Sequence, residues 1–162
     1  MSEIGTLFII AAASGTGKTS LLNRLMDTTD NVQISVSHTT RAPRPGDVEG
    51  KDYFFVDEAE FETMVANQQF LEHAKVFGNH YGTCALWLTR KLTQGLDVIL
   101  EIDWQGAAQI RALKPDAVSI FILPPSLETL RSRLELRNQD HPEVIDQRMS
   151  KAQAEMSHYS EF

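Results

Sequence analysis

Apolar and polar positions along this chain alternate between two kinds of run. Leu7-Phe8-Ile9-Ile10-Ala11-Ala12-Ala13 is short and continuously apolar, as in a strand buried on both faces. Leu21, Leu22, Leu25 and Met26 then recur at helical spacing. Residues 32–36 alternate in the manner of a half-buried strand, and 51–56 are again strand-like, rich in Tyr53, Phe54 and Phe55. Asp57 followed by Glu60 resembles a capping box opening a helix over 58–68, with Phe61, Met64 and Val65 on its apolar face. A strand over 70–77 and a turn over 78–82 follow. Helices are then predicted over 86–94, 107–113 and 143–156, with strands over 98–102 and 118–123. Ser126 stands where it can cap a further helix after Pro124-Pro125, and 138–142 interrupt the helical period.

Continuous apolar strands separated by helices imply an α/β fold, a parallel sheet covered on both faces with right-handed crossovers. The middle section departs from that rhythm. Pro43, Pro45 and Gly46 exclude a helix over 37–46, and the stretch up to residue 84 reads as a small sheet-plus-helix insertion. No internal repeat or low-complexity segment is visible.

The first strand empties into Ala12-Ala13-Ser14-Gly15-Thr16-Gly17-Lys18-Thr19-Ser20. Gly17-Lys18-Thr19 fits a phosphate-binding loop, although Ala12 stands where the pattern has its first glycine. The context is the required one: a strand before, small residues that let the backbone curl, an amphipathic helix after. Loop and helix N–H groups would converge on an anion, Lys18 would reach the outer phosphates, and the Thr19 hydroxyl would sit on Mg2+.

At 162 residues the chain is most simply one domain. Its formal charge of −7 argues against nucleic-acid binding and supplies no basic stripe for a membrane, so any polyphosphate site must gather positive charge locally. The single cysteine, Cys84, excludes a disulfide framework and fits a reducing compartment. A cytoplasmic protein is the expectation. Five histidines show no metal-ligand spacing, which disfavours zinc.

Asp103 ends the strand-like run Ile99-Leu100-Glu101-Ile102, where an acid can hold Mg2+, its waters or an acceptor group, or simply face water. Arg41 and Arg44 share one rigid proline loop, which suits bidentate capture of a phosphate, the alternative being a solvated basic loop. Arg131, Arg133 and Arg137 lie along one predicted helix and Arg148 begins the next. They are either solvated arginines paired with Glu128 or Glu135, or the cations of a lid that closes over a transferring group.

These residues together resemble the guanylate kinase family. The match runs from the phosphate loop through 35–46 (the arginine loop), Gly50-Lys51-Asp52-Tyr53-Phe54-Phe55, Phe70-Leu71-Glu72-His73-Ala74, Tyr81-Gly82-Thr83 and Glu101-Ile102-Asp103-Trp104-Gln105-Gly106 to the arginines of 131–148. The arginine loop is particular to that family, whereas the phosphate loop is shared by many nucleotide-binding proteins. The resemblance implies a three-layer P-loop fold with a core over 1–34, 85–125 and 148–162, a GMP-binding insertion over 35–84 and a helical lid over 126–147. It implies ATP as phosphoryl donor with Mg2+, and GMP, with dGMP, as acceptor. Arg41, Arg44, Tyr53 and Tyr81 would hold the GMP phosphate, and Ser37, Glu72, Thr83 and Asp103 the guanine end. Lys18, Arg41, Arg137 and Arg148 would neutralise the transferring charge.

The chain departs from the family pattern at Ala13 (a proline elsewhere), at Glu101 (an aspartate elsewhere) and at Leu136 and Asn138 (glycines elsewhere). The family also continues past residue 162 into a strand and a terminal helix that this sequence lacks. Two other readings remain at this level: a different nucleoside monophosphate kinase, and a guanylate-kinase-like interaction module without catalysis. Whether the chain forms a homo-oligomer is left open.

Overall fold

The computed structural model describes residues 4–137 and 142–162. The elements run β1 Leu7–Ala12, α1 Lys18–Thr28, β2 Val32–Ile34, β3 His38–Thr39, β4 Phe54–Phe55, α2 Glu58–Ala66, β5 Phe70–Val76 and β6 Asn79–Cys84. They continue with α3 Ala85–Thr93, β7 Asp97–Glu101, α4 Trp104–Leu113, β8 Val118–Ile122, α5 Leu127–Arg137 and α6 Pro142–Met156. One four-stranded sheet has the order β2-β7-β1-β8, a parallel-strand sheet of an α/β fold; the other has the order β4-β3-β6-β5. By Cα packing the chain divides into two compact units, Met1–Ile9 with Asn31–Val118, and Ile10–Asp30 with Ser119–Phe162.

In the first unit, β2 pairs parallel with β7, Gln33 against Val98. Val98, Ile99 and Leu100 are almost wholly buried, as the unbroken apolar run demands, and Leu88, Ala107 and Ile110 are buried with them. Asp103 caps α4 by accepting from the Gly106 N–H at 2.9 Å. This cap explains why α4 starts at Trp104, three residues before the apolar periodicity begins.

The second sheet is built on β5 and β6, an antiparallel hairpin closed by Phe77-Gly78. Both turn residues have positive φ, 49° and 84°, the twist a two-residue hairpin favours. The turn expected over 78–82 is therefore only Phe77-Gly78, and β6 begins at once. Two short strands also differ from the sequence expectation. The proline loop hides β3, which pairs antiparallel with β6, and the aromatic run 51–56 contributes only Phe54–Phe55. Tertiary pairing overrides local composition in both cases.

α2 is capped as expected, Asp57 Oδ1 accepting from the Glu60 N–H at 2.7 Å. It buries Phe61, which stacks on Phe70 at 4.6 Å between ring centroids; His38 stacks on Phe54 at 4.8 Å. Gln109 of α4 acts as a surrogate strand partner for β5. Its Oε1 accepts from the His73 N–H (3.2 Å) and its Nε2 donates to the His73 carbonyl (2.8 Å).

The second unit packs Ala13 with Leu130, Leu134, Ile145, Met149 and Ala152 of α5 and α6. Ser126 caps α5, its Oγ accepting from the Thr129 N–H at 3.0 Å. β8 is less buried than its apolar sequence suggests: Val118 and Ile120 are exposed, as befits the end strand of its sheet. Among the described residues no helix is long and apolar enough to cross a membrane.

A Cβ on Gly82 of β6 would lie 2.8–2.9 Å from the Phe70 ring. Gly82→Ala is expected to destabilise the protein by about 1–3 kcal/mol, the usual range for overpacking. Thermal denaturation checks this; an unchanged melting temperature would mean that the Phe70 ring can move aside.

Candidate functional site

In the second unit the turn from β1 to α1 uses two glycines with left-handed backbone, Gly15 at φ +84° and Gly17 at φ +100°. Gly17 is the N-cap of α1 and gives it no side-chain cap, so the N–H groups of the first turn, which lack intrahelical acceptors, are not masked by a capping side chain. No acid lies in that first turn, and Lys18 and Thr19 open it. The helix dipole and these donors make an anion cradle.

The cradle is held from behind. Thr16 folds back on the Ala13 carbonyl through its N–H (3.2 Å) and its Oγ1 (2.7 Å). Arg133 of α5 donates from Nη1 to the Thr16 carbonyl at 2.6 Å. A Cβ on Gly15 would lie 2.8 Å from Leu134 Cδ2, so only glycine lets α5 pack this closely. Glu155 of α6 accepts from the Ser14 N–H at 3.2 Å. Arg133 thus braces the loop's backbone. Arg131 bridges to Asp146 of α6 at 2.6 Å, an exposed pair of small energetic weight. Arg148 lies half-buried on α6; the side chain of Arg137 and all of Asn138 fall outside the described residues.

The first unit holds the other residues singled out by sequence. Glu72 and Thr83 face each other across β5 and β6, next to a register shift between Phe70 and Glu72. That irregularity re-aims Glu72 inward. Glu72 is 3% exposed and Thr83 0%; the Thr83 hydroxyl donates to Glu72 Oε1 at 2.5 Å. A Cβ on Gly106 would sit 2.6 Å from Glu72 Oε2, so glycine in the first turn of α4 makes room for the carboxylate. Burial pushes the Glu72 carboxyl up to about 7, with the Asp103 charge adding to the rise and the Thr83 hydrogen bonds opposing it. Such a group changes charge at neutral pH.

Arg41 follows β3 closely. Its N–H donates to the Thr39 hydroxyl (3.1 Å), which itself donates to the His80 carbonyl (2.8 Å). Its guanidinium lies over Tyr53 at 5.1 Å and Phe55 at 5.7 Å. It also pairs with Asp47 at 2.8 Å. Tyr53 meets Tyr81 edge-on at 5.8 Å, and burial raises the Tyr53 hydroxyl's pKa, with the charges of Tyr81 and Glu101 contributing. Glu101, whose role the sequence left open, thus lies within electrostatic reach of Tyr53. Ser37 enters the same sheet, its carbonyl accepting from the Phe54 N–H at 2.9 Å, and Arg44 is exposed in the proline loop.

Within this unit the structure therefore gathers Arg41, Tyr53 and Tyr81 in one cluster and Glu72, Thr83 and Asp103 in another. Sequence reading missed Asp47, Gly106, Gln109 and Glu155. The first two carried a signal: Asp47 closes a Pro-Gly turn, and Gly106 is a glycine inside a helical pattern, which normally has a packing reason. Gln109 and Glu155 act across long sequence separations and carry none. Among the described residues no group of three or more His, Cys, Asp or Glu side chains could hold a metal ion.

A glycine-bent loop between a buried parallel strand and a lysine-led helix places the chain among the phosphate-loop α/β proteins that bind nucleotides. The family model described as "Guanylate kinase" matches residues 5–162. A guanylate kinase of Saccharophagus degradans is 58% identical over 161 residues, covering 99% of this chain and 78% of its own. One of Alcanivorax borkumensis is 59% identical over 162 residues, covering 100% of this chain and 78% of its own. The crystal structure of guanylate kinase from Anaplasma phagocytophilum superposes with a TM-score of 0.81 at 38% identity, over 99% of this chain and 75% of that one. The chain belongs to the guanylate kinase family.

Because the folded Glu72 carboxyl titrates near 7 instead of its ordinary 4.5, the native state binds more protons than the unfolded state between those values. Its contribution to stability therefore falls as pH rises through that window and is level above it. Relative to Glu72→Gln, which does not titrate, the wild type should lose roughly 3 kcal/mol of unfolding free energy between about pH 4.5 and pH 7. Denaturant titrations of the two proteins across that range measure it; a constant difference between them would mean that Glu72 ionises normally.

Proposed function

We infer that this chain transfers the γ-phosphoryl group of ATP to GMP, giving ADP and GDP, and that dGMP, with the same base, also serves. An oxygen of the GMP phosphate attacks the γ-phosphorus in line as the bond to the β,γ-bridging oxygen breaks, and ADP leaves with that electron pair. The phosphate is its own nucleophile, so no general base is needed. What the protein must supply is alignment and neutralisation of charge.

The observation that carries the reading is the buried Glu72 beside Thr83. Guanine presents N1–H and an exocyclic amine side by side, and an ionised carboxylate can accept from both. The Thr83 proton is engaged on Glu72, which gives the guanine O6 to the Ser37 hydroxyl; Asp103 supports the same end by its charge and its cap of α4. Adenine reverses the polarity at its six-position and lacks the amine, so buried groups would be left unpaired. Arg41, Arg44, Tyr53 and Tyr81 hold the GMP phosphate.

The loop Ala12, Ala13, Ser14, Gly15, Thr16, Gly17, Lys18, Thr19, Ser20 holds the ATP phosphates, and Lys18, Arg41, Arg137 and Arg148 offset the charge that moves. For Mg2+ the protein offers the Thr19 hydroxyl in the first turn of α1 and, among the described residues, no carboxylate cage. That sparse donor set suits a cation held mainly by substrate phosphates and water. When bound it would draw charge from the phosphate oxygens. The segment 126–147 acts as a lid and the segment 35–84 as the GMP-binding module, excluding water as a competing acceptor. The reading places the enzyme in the cytoplasm, in keeping with one cysteine in 162 residues.

A coupled assay of ADP formation with GMP, dGMP, AMP, CMP and UMP tests this directly. GMP should exceed AMP in kcat/KM by at least about a hundredfold, as expected when buried polar groups lose their partners. Lys18→Ala should retain the fold by circular dichroism and lose at least about a hundredfold in kcat. Preference for AMP would overturn the base assignment, and a fully active Lys18→Ala would overturn the donor site.

A further inference from the structure

Asp47 is tied to both arginines of the proline loop. One carboxylate oxygen, Oδ2, accepts from Arg41 Nη2 at 2.8 Å and from the Arg44 N–H at 2.7 Å. The Asp47 N–H donates back to the Arg44 carbonyl at 3.0 Å, closing a turn with Pro45 and Gly46 at its centre. Gly46 has φ +94°, the left-handed backbone that the third position of a type II turn requires. The Arg41 and Asp47 side chains are only 11% and 19% exposed, so this pair is better shielded than ordinary surface ion pairs. The hydrogen bond from the Arg44 N–H and the Arg41 contact hold the Asp47 carboxyl below its usual value against the opposing effect of burial, so it stays ionised.

The guanidinium is fixed on every side that the loop can reach. Nη1 donates to the Ala42 carbonyl at 3.1 Å, and the plane lies over Tyr53 and Phe55. A guanidinium carries five N–H donors, and these two bonds leave others to meet an anion. An arginine that must be ordered on binding loses rotamer entropy at that moment; one already ordered does not.

We propose that Asp47 is a positioning residue for the acceptor phosphate, its carboxylate holding the Arg41 guanidinium and the Arg44 backbone in the geometry that receives the GMP phosphate. This rests on the reading above that Arg41 holds that phosphate. In this role Asp47 acts through Arg41 and the Arg44 backbone, its observed partners, and not by contact with a nucleotide. Its negative charge repels a phosphate weakly, and the ordering of Arg41 outweighs that repulsion.

Steady-state kinetics of Asp47→Ala, Asp47→Asn, Arg41→Ala and the Arg41→Ala/Asp47→Ala double variant test it. Asp47→Ala should raise the KM for GMP about tenfold, the scale of a lost charge-assisted hydrogen bond, with the KM for ATP within about twofold. Asp47→Asn, whose carboxamide oxygen can still accept from the Arg44 N–H, should show a smaller rise and, if Asp47→Ala folds poorly, makes the same comparison. In the Arg41→Ala background the Asp47→Ala change should add less than about twofold, since a residue acting through Arg41 has nothing left to position. A GMP KM unmoved by both Asp47 variants, or effects of Asp47 and Arg41 that multiply independently, would overturn the proposal. If Arg41→Ala itself leaves the GMP KM unchanged, the acceptor-site reading fails; if Arg41→Ala is impaired and the Asp47 variants are not, only the role of Asp47 falls.

Discussion

Keeping the Glu72 carboxylate out of water constrains the first unit more than any other single interaction. An isolated buried carboxylate would not stay charged, and everything around Glu72 bears on that cost. The Thr83 hydroxyl supplies a short hydrogen bond, the backbone irregularity near Glu72 turns the side chain inward, and Gly106 leaves the space it occupies. Asp103 works against ionisation. The carboxyl is left poised near neutrality, a poor arrangement for stability and a good one for a partner that brings two N–H donors.

Charge is handled differently in the second unit. A protein with a formal charge of −7 that binds nucleotide phosphates must concentrate positive potential without a basic surface. On the proposed reading the loop after β1 does so largely with backbone N–H groups and a helix terminus, and the surrounding side chains fix the loop's shape. Gly15 lets Leu134 approach, Arg133 holds the Thr16 carbonyl, and Glu155 holds the Ser14 N–H. Arg133, which sequence spacing could equally make a lid cation, serves here as a brace on the loop. Arg131 forms its short ion pair with Asp146 of α6, a partner outside its sequence reading, and lies 4.0 Å from Glu135, one of the two acids that reading named.

Much of this was legible in the sequence because local chemistry and tertiary role agree. The run from Leu7 to Lys18 specifies a buried strand, a glycine bend and a helix start on its own, and Asp57 with Glu60 announces the cap of α2. The failures fall where pairing partners decide the outcome. His38–Thr39 become a strand only because β6 lies alongside, Asn79–Cys84 follow a tighter turn than their glycines suggest, and β8 keeps an apolar sequence while half exposed. Glu72, Thr83 and Asp103 were singled out through resemblance, which did not show what gathers them into one cluster. Gly106 and a β irregularity do so, and neither has a local signature strong enough to read unaided.

The most direct test of the account is the proton balance of GMP binding. If guanine is bound by an ionised Glu72 whose free carboxyl titrates near 7, binding at about pH 6 must release close to one proton from it. Calorimetric titrations in buffers of different ionisation enthalpy, with wild type and Glu72→Gln, isolate that proton from those of the GMP phosphate. The account predicts a wild-type release larger than the variant's by about one proton at that pH, shrinking towards zero by about pH 8. Equal proton release by the two proteins would contradict it.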